Sequence, residues 1–244
     1  MNVGLVFLAA LVTALATGLG ALPLFFGRHI HDRGLGLATA LAAGFMLGAS
    51  AGLFWEGGRV GPLRTAAGAL LGAGFIVLSQ RALGHRREVG FDVLRGADAR
   101  GALMIVGVMT VHSFTEGVGV GVAFGDGQAL GALITTAIAV HNIPEGLAIS
   151  LVLVPRGVSV LRAAGWSVFS SLPQPLMAVP AFLLVEWFEP VLPVGLGFAG
   201  GAMVWMVFAQ LVPDALQTAG TRSVVAVAAA SAGAMIALQL ALLG

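Results

Sequence analysis

Long apolar stretches recur along the whole chain and are separated by short polar stretches. A helix needs roughly 20 apolar residues to cross the hydrocarbon core of a bilayer, with a range of about 17 to 25. Read at that length, the pattern predicts eight transmembrane helices, at residues 2–26, 34–55, 62–80, 101–123, 128–154, 158–185, 190–212 and 222–243. We therefore predict an all-α membrane protein in which residues 1–244 form a single transmembrane domain.

The composition supports this class of protein and excludes others. Of the 244 residues, 58% are hydrophobic and only 9% are charged, whereas soluble domains carry about 25% charged residues. The chain has no cysteine, which excludes thiolate metal sites, and no lysine, which excludes a nucleotide-binding P-loop. A net charge of +1 provides no basic patch for nucleic acid.

The arginines predict how the helices are oriented in the membrane. Cytoplasmic loops carry an excess of basic residues, and the long connection at about 81–100 holds five arginines, so we expect it to be a cytoplasmic loop. The opposite set of connections carries only Arg59 and Arg64. Both termini are then outside, and ten arginines lie on the cytoplasmic side: Arg28, Arg33, Arg81, Arg86, Arg87, Arg95, Arg100, Arg156, Arg162 and Arg222.

Two similar motifs place ionisable residues in the middle of the fourth and fifth predicted helices. They are HSFTEG at residues 112–117 and HNIPEG at residues 141–146. Residues four apart lie on one helix face, so each histidine points the same way as its glutamate. Because the two helices are antiparallel neighbours, we predict that His112, Glu116, His141 and Glu145 converge on one divalent cation. Imidazole nitrogen and carboxylate oxygen together favour zinc, iron or manganese over calcium or magnesium.

With these residues in view, the chain resembles the ZIP (Zrt/Irt-like) family of metal transporters, in particular its GufA-like prokaryotic branch. The two motifs are its most specific features. Weaker similarities are GALPLFF at 20–26, GFMLGASAGLFWEGG at 44–58, SSLPQPLMA at 170–178 and GAMVWMVFAQLVPDAL at 201–216. The resemblance implies an eight-helix bundle with an inverted repeat, and transport of zinc or a similar ion toward the cytoplasm. It also implies that His112, Glu116, His141 and Glu145 are the principal ligands, with Asn142 beside them.

The sequence departs from the family pattern at a second metal site. Many members build that site from an asparagine, an acid or asparagine, and a glutamate, and the corresponding positions here hold Ser113, Asn142 and Gln174. The second site has therefore lost its own carboxylate. We predict a single well-populated metal site.

Four further residues are candidates for the ion pathway rather than for the site. Gln210 stands where the family frequently has an acid, and Asp214 keeps the later acidic position. Glu56 resembles an acidic ending of the second helix, and acids at helix ends are usually just solvated. Met46 offers a soft sulfur ligand, although a membrane methionine generally serves packing.

The leading hypothesis for function is uptake of divalent transition-metal ions, zinc foremost, by alternating access without ATP. Iron, manganese and cadmium are further candidates for the transported ion. Because the ligands bind metal deprotonated, metal should compete with protons and transport should weaken in acid. The ion is cargo and no cofactor is expected. The expected partners are the ion and the lipid bilayer, with a homodimer left open, in a multi-pass protein of a prokaryotic inner membrane.

Two other functions remain open at the level of sequence. An intramembrane zinc-dependent hydrolase would use the same ligands to activate water, but it needs an open coordination position and a general base. The H-E-x-x-H arrangement that supplies such a base is absent, so we do not expect an enzyme. A proton-relay channel would pass protons along the histidines and glutamates. A purely structural role, in which the four side chains hold the helices together, is a further alternative.

Overall fold

The computed structural model describes residues 2–26, 32–84, 94 and 96–243. The loop histidines His29, His31 and His85, which the sequence makes weak candidates for capturing released metal, lie outside these residues, as does half of the 81–100 connection (85–93 and 95). Helices account for nearly all of the described part of the chain.

Eight helical segments in the described part of the chain are long and apolar enough to cross a membrane, as predicted. We number them spans 1 to 8: Val3–Phe26, Arg33–Val60, Pro62–Ala82, Ala102–Asp126, Gln128–Arg156, Val160–Trp187, Val191–Thr218 and Thr221–Leu242. The helices of spans 2, 3, 4 and 8 are continuous, at Asp32–Val60, Pro62–Gly84, Gly96–Asp126 and Thr221–Leu243.

The other four spans are built from more than one helical segment. Span 1 joins Val3–Leu19 to Pro23–Phe26, and span 5 ends its helix Gln128–Leu153 in a 3-10 turn, Val154–Arg156. Span 6 joins Val160–Ser171 to Pro173–Trp187, and span 7 joins Val191–Met206 and Val212–Thr218 through a π-helical turn, Val207–Leu211.

Proline explains several of these junctions. Pro23 and Pro173 are the first residues of their helices, a position that suits proline because the first backbone N–H groups of a helix have no partner within it. Pro144 differs, because it lies inside the helix of span 5, which continues through it. The helical bundle thus keeps the HNIPEG motif on one helix.

The spans form two groups of four. Spans 1, 4, 5 and 6 pack on one another, and so do spans 2, 3, 7 and 8; the two groups meet mainly where span 4 contacts span 7 and span 5 contacts span 2. Both predicted metal-binding motifs lie in the first group.

The contacts also repeat in pairs. Spans 3 and 7 pack together as spans 8 and 2 do, spans 4 and 6 as spans 5 and 1 do, and spans 4 and 7 as spans 5 and 2 do. Exchanging span 1 with span 6, 2 with 7, 3 with 8 and 4 with 5 converts each of these contacts into the contact that matches it. Because each exchanged span runs in the opposite direction, this is the pairing that an inverted repeat predicts.

Candidate metal centre

The two motifs lie near the middle of spans 4 and 5 and are fully enclosed by protein. His112, Glu116 and His141 have no exposed surface, and Glu145 is 2% exposed. Ionisable side chains at this depth are costly unless they are paired, and they usually mark a functional site.

The four side chains meet at one place, as the sequence predicts. One nitrogen or oxygen from each of His112, Glu116, His141 and Glu145 lies within 4.8 Å of all the others. Glu116 is central, because its Oε1 lies 3.2 Å from His112 Nε2 and 2.5 Å from His141 Nε2. Ligands from two antiparallel helices therefore share one small volume.

The backbone of span 5 sets the tautomer of His141. Its Nδ1 lies 3.1 Å from the carbonyl oxygen of Ala137, and a carbonyl oxygen only accepts hydrogen bonds, so Nδ1 carries the hydrogen of the neutral ring. The lone pair of Nε2 then points at Glu116 Oε1, another acceptor. Two facing acceptors require a proton between them or a cation bound to both. Proteins commonly orient a metal-binding histidine by a hydrogen bond at the ring nitrogen that does not bind the metal, which here is Nδ1.

Polar atoms without a hydrogen bond also line the same volume. Within the described part of the chain, neither oxygen of Glu145 and neither ring nitrogen of His112 makes a hydrogen bond. A buried carboxylate without a partner is strongly unfavourable. Two ionised glutamates and two neutral histidines carry a charge of −2, which one divalent ion cancels. The residues present therefore fit a divalent transition-metal ion.

The positions that correspond to a second metal site hold a network of neutral side chains. The Gln174 amide nitrogen of span 6 donates to Glu116 Oε2, and Asn142 Nδ2 lies 3.3 Å from Gln174 Oε1. Ser113 is buried beside the motif, and its hydroxyl has no hydrogen-bond partner among the described residues. Gln174 and Asn142 thus lie around the cluster, and Gln174 occupies one face of Glu116.

The structure adds three residues that sequence reasoning missed. Thr13 of span 1 donates its hydroxyl to Gln174 Oε1 at 2.5 Å and accepts from Asn142 Nδ2 at its backbone carbonyl, at 2.9 Å. Gly117 and Gly146 follow the two motif glutamates and lie against the backbones of Gln174 and Thr17, where a Cβ would overlap main-chain atoms. The final glycine of each motif was the available signal, whereas a lone threonine in an apolar helix gives none.

Two of the four remaining pathway candidates, Glu56 and Asp214, do not belong to the cluster. Among the described residues, the acids of the cluster are Glu116 and Glu145. Glu56 pairs with Arg59 at 3.5 Å, and Met46 is buried in the hydrophobic core. Gln210 and Asp214 lie in the end of span 7 that packs on span 2. Roles for these four in an ion pathway stay predictions.

Comparisons with known proteins match one family over most of the chain. The family model described as "ZIP Zinc transporter" matches residues 91–241, which contain both motifs. The zinc transporter GufA of Myxococcus xanthus is 34% identical over 227 residues, covering 88% of this chain and 89% of the relative. The zinc transporter ZIPB of Bordetella bronchiseptica is 32% identical over 232 residues, covering 88% of this chain and 74% of the relative.

A plant protein is similar over nearly the whole chain. A protein of Arabidopsis thaliana whose name assigns it provisionally to zinc transport is 47% identical over 242 residues, or 98% of this chain. The chain spans 39% of the length of that relative.

Proposed function

This chain belongs to the ZIP zinc transporter family, and on that premise we propose that it carries divalent transition-metal ions, zinc foremost, across a membrane. It is a multi-pass membrane protein, and its family indicates a transporter rather than an enzyme. The observation that carries the proposal is the convergence of His112, Glu116, His141 and Glu145 within 4.8 Å halfway across the bundle. The ligands of the ion are these four side chains, and Asn142 lies beside them.

The donor set supports zinc as the preferred cargo. Two imidazole nitrogens and two carboxylate oxygens make a four-coordinate shell, which is the usual geometry of zinc in proteins. Iron(II), manganese and cadmium are the alternatives for the same ligands, since selectivity among such metals depends on geometry as well as on ligand type.

Transport proceeds by alternating access without ATP. The site is enclosed on all sides, so an ion enters and leaves only when the surrounding spans rearrange, and the inverted repeat of contacts is typical of secondary transporters. The bacterial relatives favour a prokaryotic inner membrane, and the direction of transport in this proposal is uptake toward the cytoplasm. The ion and the lipid bilayer are the partners of the chain in this proposal.

The geometry gives less support to the rival functions. A hydrolase needs a coordination position for water, and four protein ligands already complete a tetrahedral shell. A proton relay needs only the ionisable side chains, and it does not explain why the two carboxylates and the Nε2 lone pair of His141 surround one volume.

Zinc uptake into proteoliposomes tests the proposal directly. We expect the wild-type chain to take up zinc, and His141→Ala and Glu145→Ala to abolish uptake while the protein remains folded in the membrane. Glu189→Ala removes an exposed acid in the short connection between spans 6 and 7 and serves as the matched control, with uptake unchanged. Proton current without zinc flux, or substrate hydrolysis without zinc flux, would contradict transport.

A further inference from the structure

Gln174 joins the metal cluster to a network that reaches three other spans. Its side chain is fully buried and touches Glu116 of span 4 on one side. On the other side its Oε1 lies 2.5 Å from the Thr13 hydroxyl of span 1 and 3.3 Å from Asn142 Nδ2 of span 5. Spans 1, 4, 5 and 6, the group that carries the ligands, therefore meet at this amide.

The partners fix which end of the Gln174 amide faces the cluster. Asn142 Nδ2 donates to the carbonyl oxygen of Thr13 at 2.9 Å, which directs this amide nitrogen toward Gln174 Oε1. A glutamine turned the other way would place its oxygen against the carboxylate of Glu116, and two acceptors at that distance repel. The Gln174 nitrogen is thus the atom that donates to Glu116 Oε2.

The Thr13 hydroxyl has one hydrogen and two acceptors within reach. It lies 2.7 Å from the carbonyl oxygen of Ala10 as well as 2.5 Å from Gln174 Oε1. Thr13 therefore supports the glutamine by a shared hydrogen bond, and Asn142 supplies the second donor. Removing the Thr13 hydroxyl should weaken the orientation of Gln174 without abolishing it.

We propose that Gln174 is a positioning residue that, held by Thr13 and Asn142, makes Glu116 offer a single oxygen to the transported ion. With Oε2 engaged by the amide, only Oε1 faces His112 and His141. A one-oxygen carboxylate keeps the shell at four ligands, as zinc prefers, whereas a two-oxygen carboxylate raises the coordination number and suits larger ions. This inference rests on the proposed function, because it concerns the same site.

Zinc binding to the purified full chain, followed by X-ray absorption of the bound zinc, tests the role of Gln174. Gln174→Met keeps a similar length but removes the donor, and we expect it to weaken zinc binding by about 10- to 100-fold, as is usual for residues that orient ligands. The X-ray absorption spectrum should also show added oxygen coordination as Glu116 becomes free to bind through both oxygens. A purely structural role would not change the shell of the zinc that still binds.

Two further variants separate orientation from packing. Thr13→Val keeps the shape and loses the hydroxyl, so it should weaken zinc binding in the same direction but only a few-fold, and Thr13→Ser should bind as the wild type does. Ser170→Ala is the matched control in span 6, because this buried hydroxyl donates to the backbone of Ser167 and not to the cluster. These variants keep the test decisive if Gln174→Met fails to fold.

The outcomes distinguish this inference from the proposed function. Wild-type protein that binds no zinc would overturn the proposed function itself. Wild-type protein that binds zinc, with Gln174→Met and Thr13→Val matching it in affinity and in zinc coordination, would overturn the positioning role alone.

Discussion

The four residues of the metal cluster are held unequally. His141 is fixed by the carbonyl oxygen of Ala137 and Glu116 by the Gln174 amide. His112 and Glu145 lack such hydrogen bonds within the described residues. A transport site must both bind and release its ion, and we expect the two ligands without such hydrogen bonds to reorient more readily than the other two.

The ligand set predicts how many ions each chain holds. Gln174 is neutral and its amide nitrogen already occupies the far oxygen of Glu116, so elemental analysis of zinc-loaded protein should give one ion per chain. Gln174→Glu returns a carboxylate to that position and should raise the ratio toward two. Two ions in the wild-type protein would contradict the single site.

Acid should lower the zinc occupancy of the site, because protons compete with zinc for the same ligands.

At the scale of single residues, spacing predicts the cluster but not its support. The histidines and glutamates are four residues apart, so each pair must share a helix face, and this alone brings the ligands together. Thr13 lies 161 positions from Gln174 along the chain, and nothing in the local sequence of span 1 indicates that contact. Contacts of this kind depend on how distant helices pack.

Helix packing depends on glycine where spans approach most closely. A Cβ at Gly117 would lie 2.5 Å from the carbonyl oxygen of Gln174 and 2.8 Å from its Cα, and these backbone atoms cannot move aside without shifting span 6. Small residues at such contacts allow membrane helices to pack closely. The glycine that follows Glu116 therefore brings Gln174 within reach of the cluster.

Alanine at this glycine should separate the two helices. We expect Gly117→Ala to cost about 1–3 kcal/mol of stability, as overpacking usually does, and to weaken zinc binding as Gln174 moves away. Gly74→Ala is the control, since a Cβ there would meet nothing within 4 Å, and replacing a helical glycine gains up to about 1 kcal/mol. Unfolding of the two variants in detergent micelles measures the difference, and equal stability would contradict the packing argument.

The helices themselves follow the apolar pattern, and their ends do not. The prediction ends the seventh helix at residue 212, while span 7 continues to Thr218 through a π-helical turn and a short helix. The helical structure continues past residue 212 because Pro213 lies in the first turn of the new helix, where proline is tolerated. Polarity indicates where a helix leaves the bilayer, not where its hydrogen bonds stop.

The whole molecule consists of two four-span groups, and the inverted repeat exchanges spans within each group: 1 with 6 and 4 with 5 in the first, 2 with 7 and 3 with 8 in the second. The ligand-bearing group of spans 1, 4, 5 and 6 meets the other group through contacts that repeat between span 4 with span 7 and span 5 with span 2. The same exchange that relates these contacts also relates His112 and Glu116 to His141 and Glu145. The metal cluster thus lies where the two halves of the repeat meet.

With eight spans in the described part of the chain, we expect both termini on one side of the membrane, and the arginines predict that this side is outside. Because the chain has no cysteine, a single introduced cysteine reports its own position. Asp126→Cys lies at the end of span 4, next to the connection to span 5, and Gly220→Cys lies between spans 7 and 8. In intact cells, an impermeant maleimide should label Asp126→Cys at once and Gly220→Cys only after permeabilisation. The reverse pattern would contradict the predicted orientation of the spans.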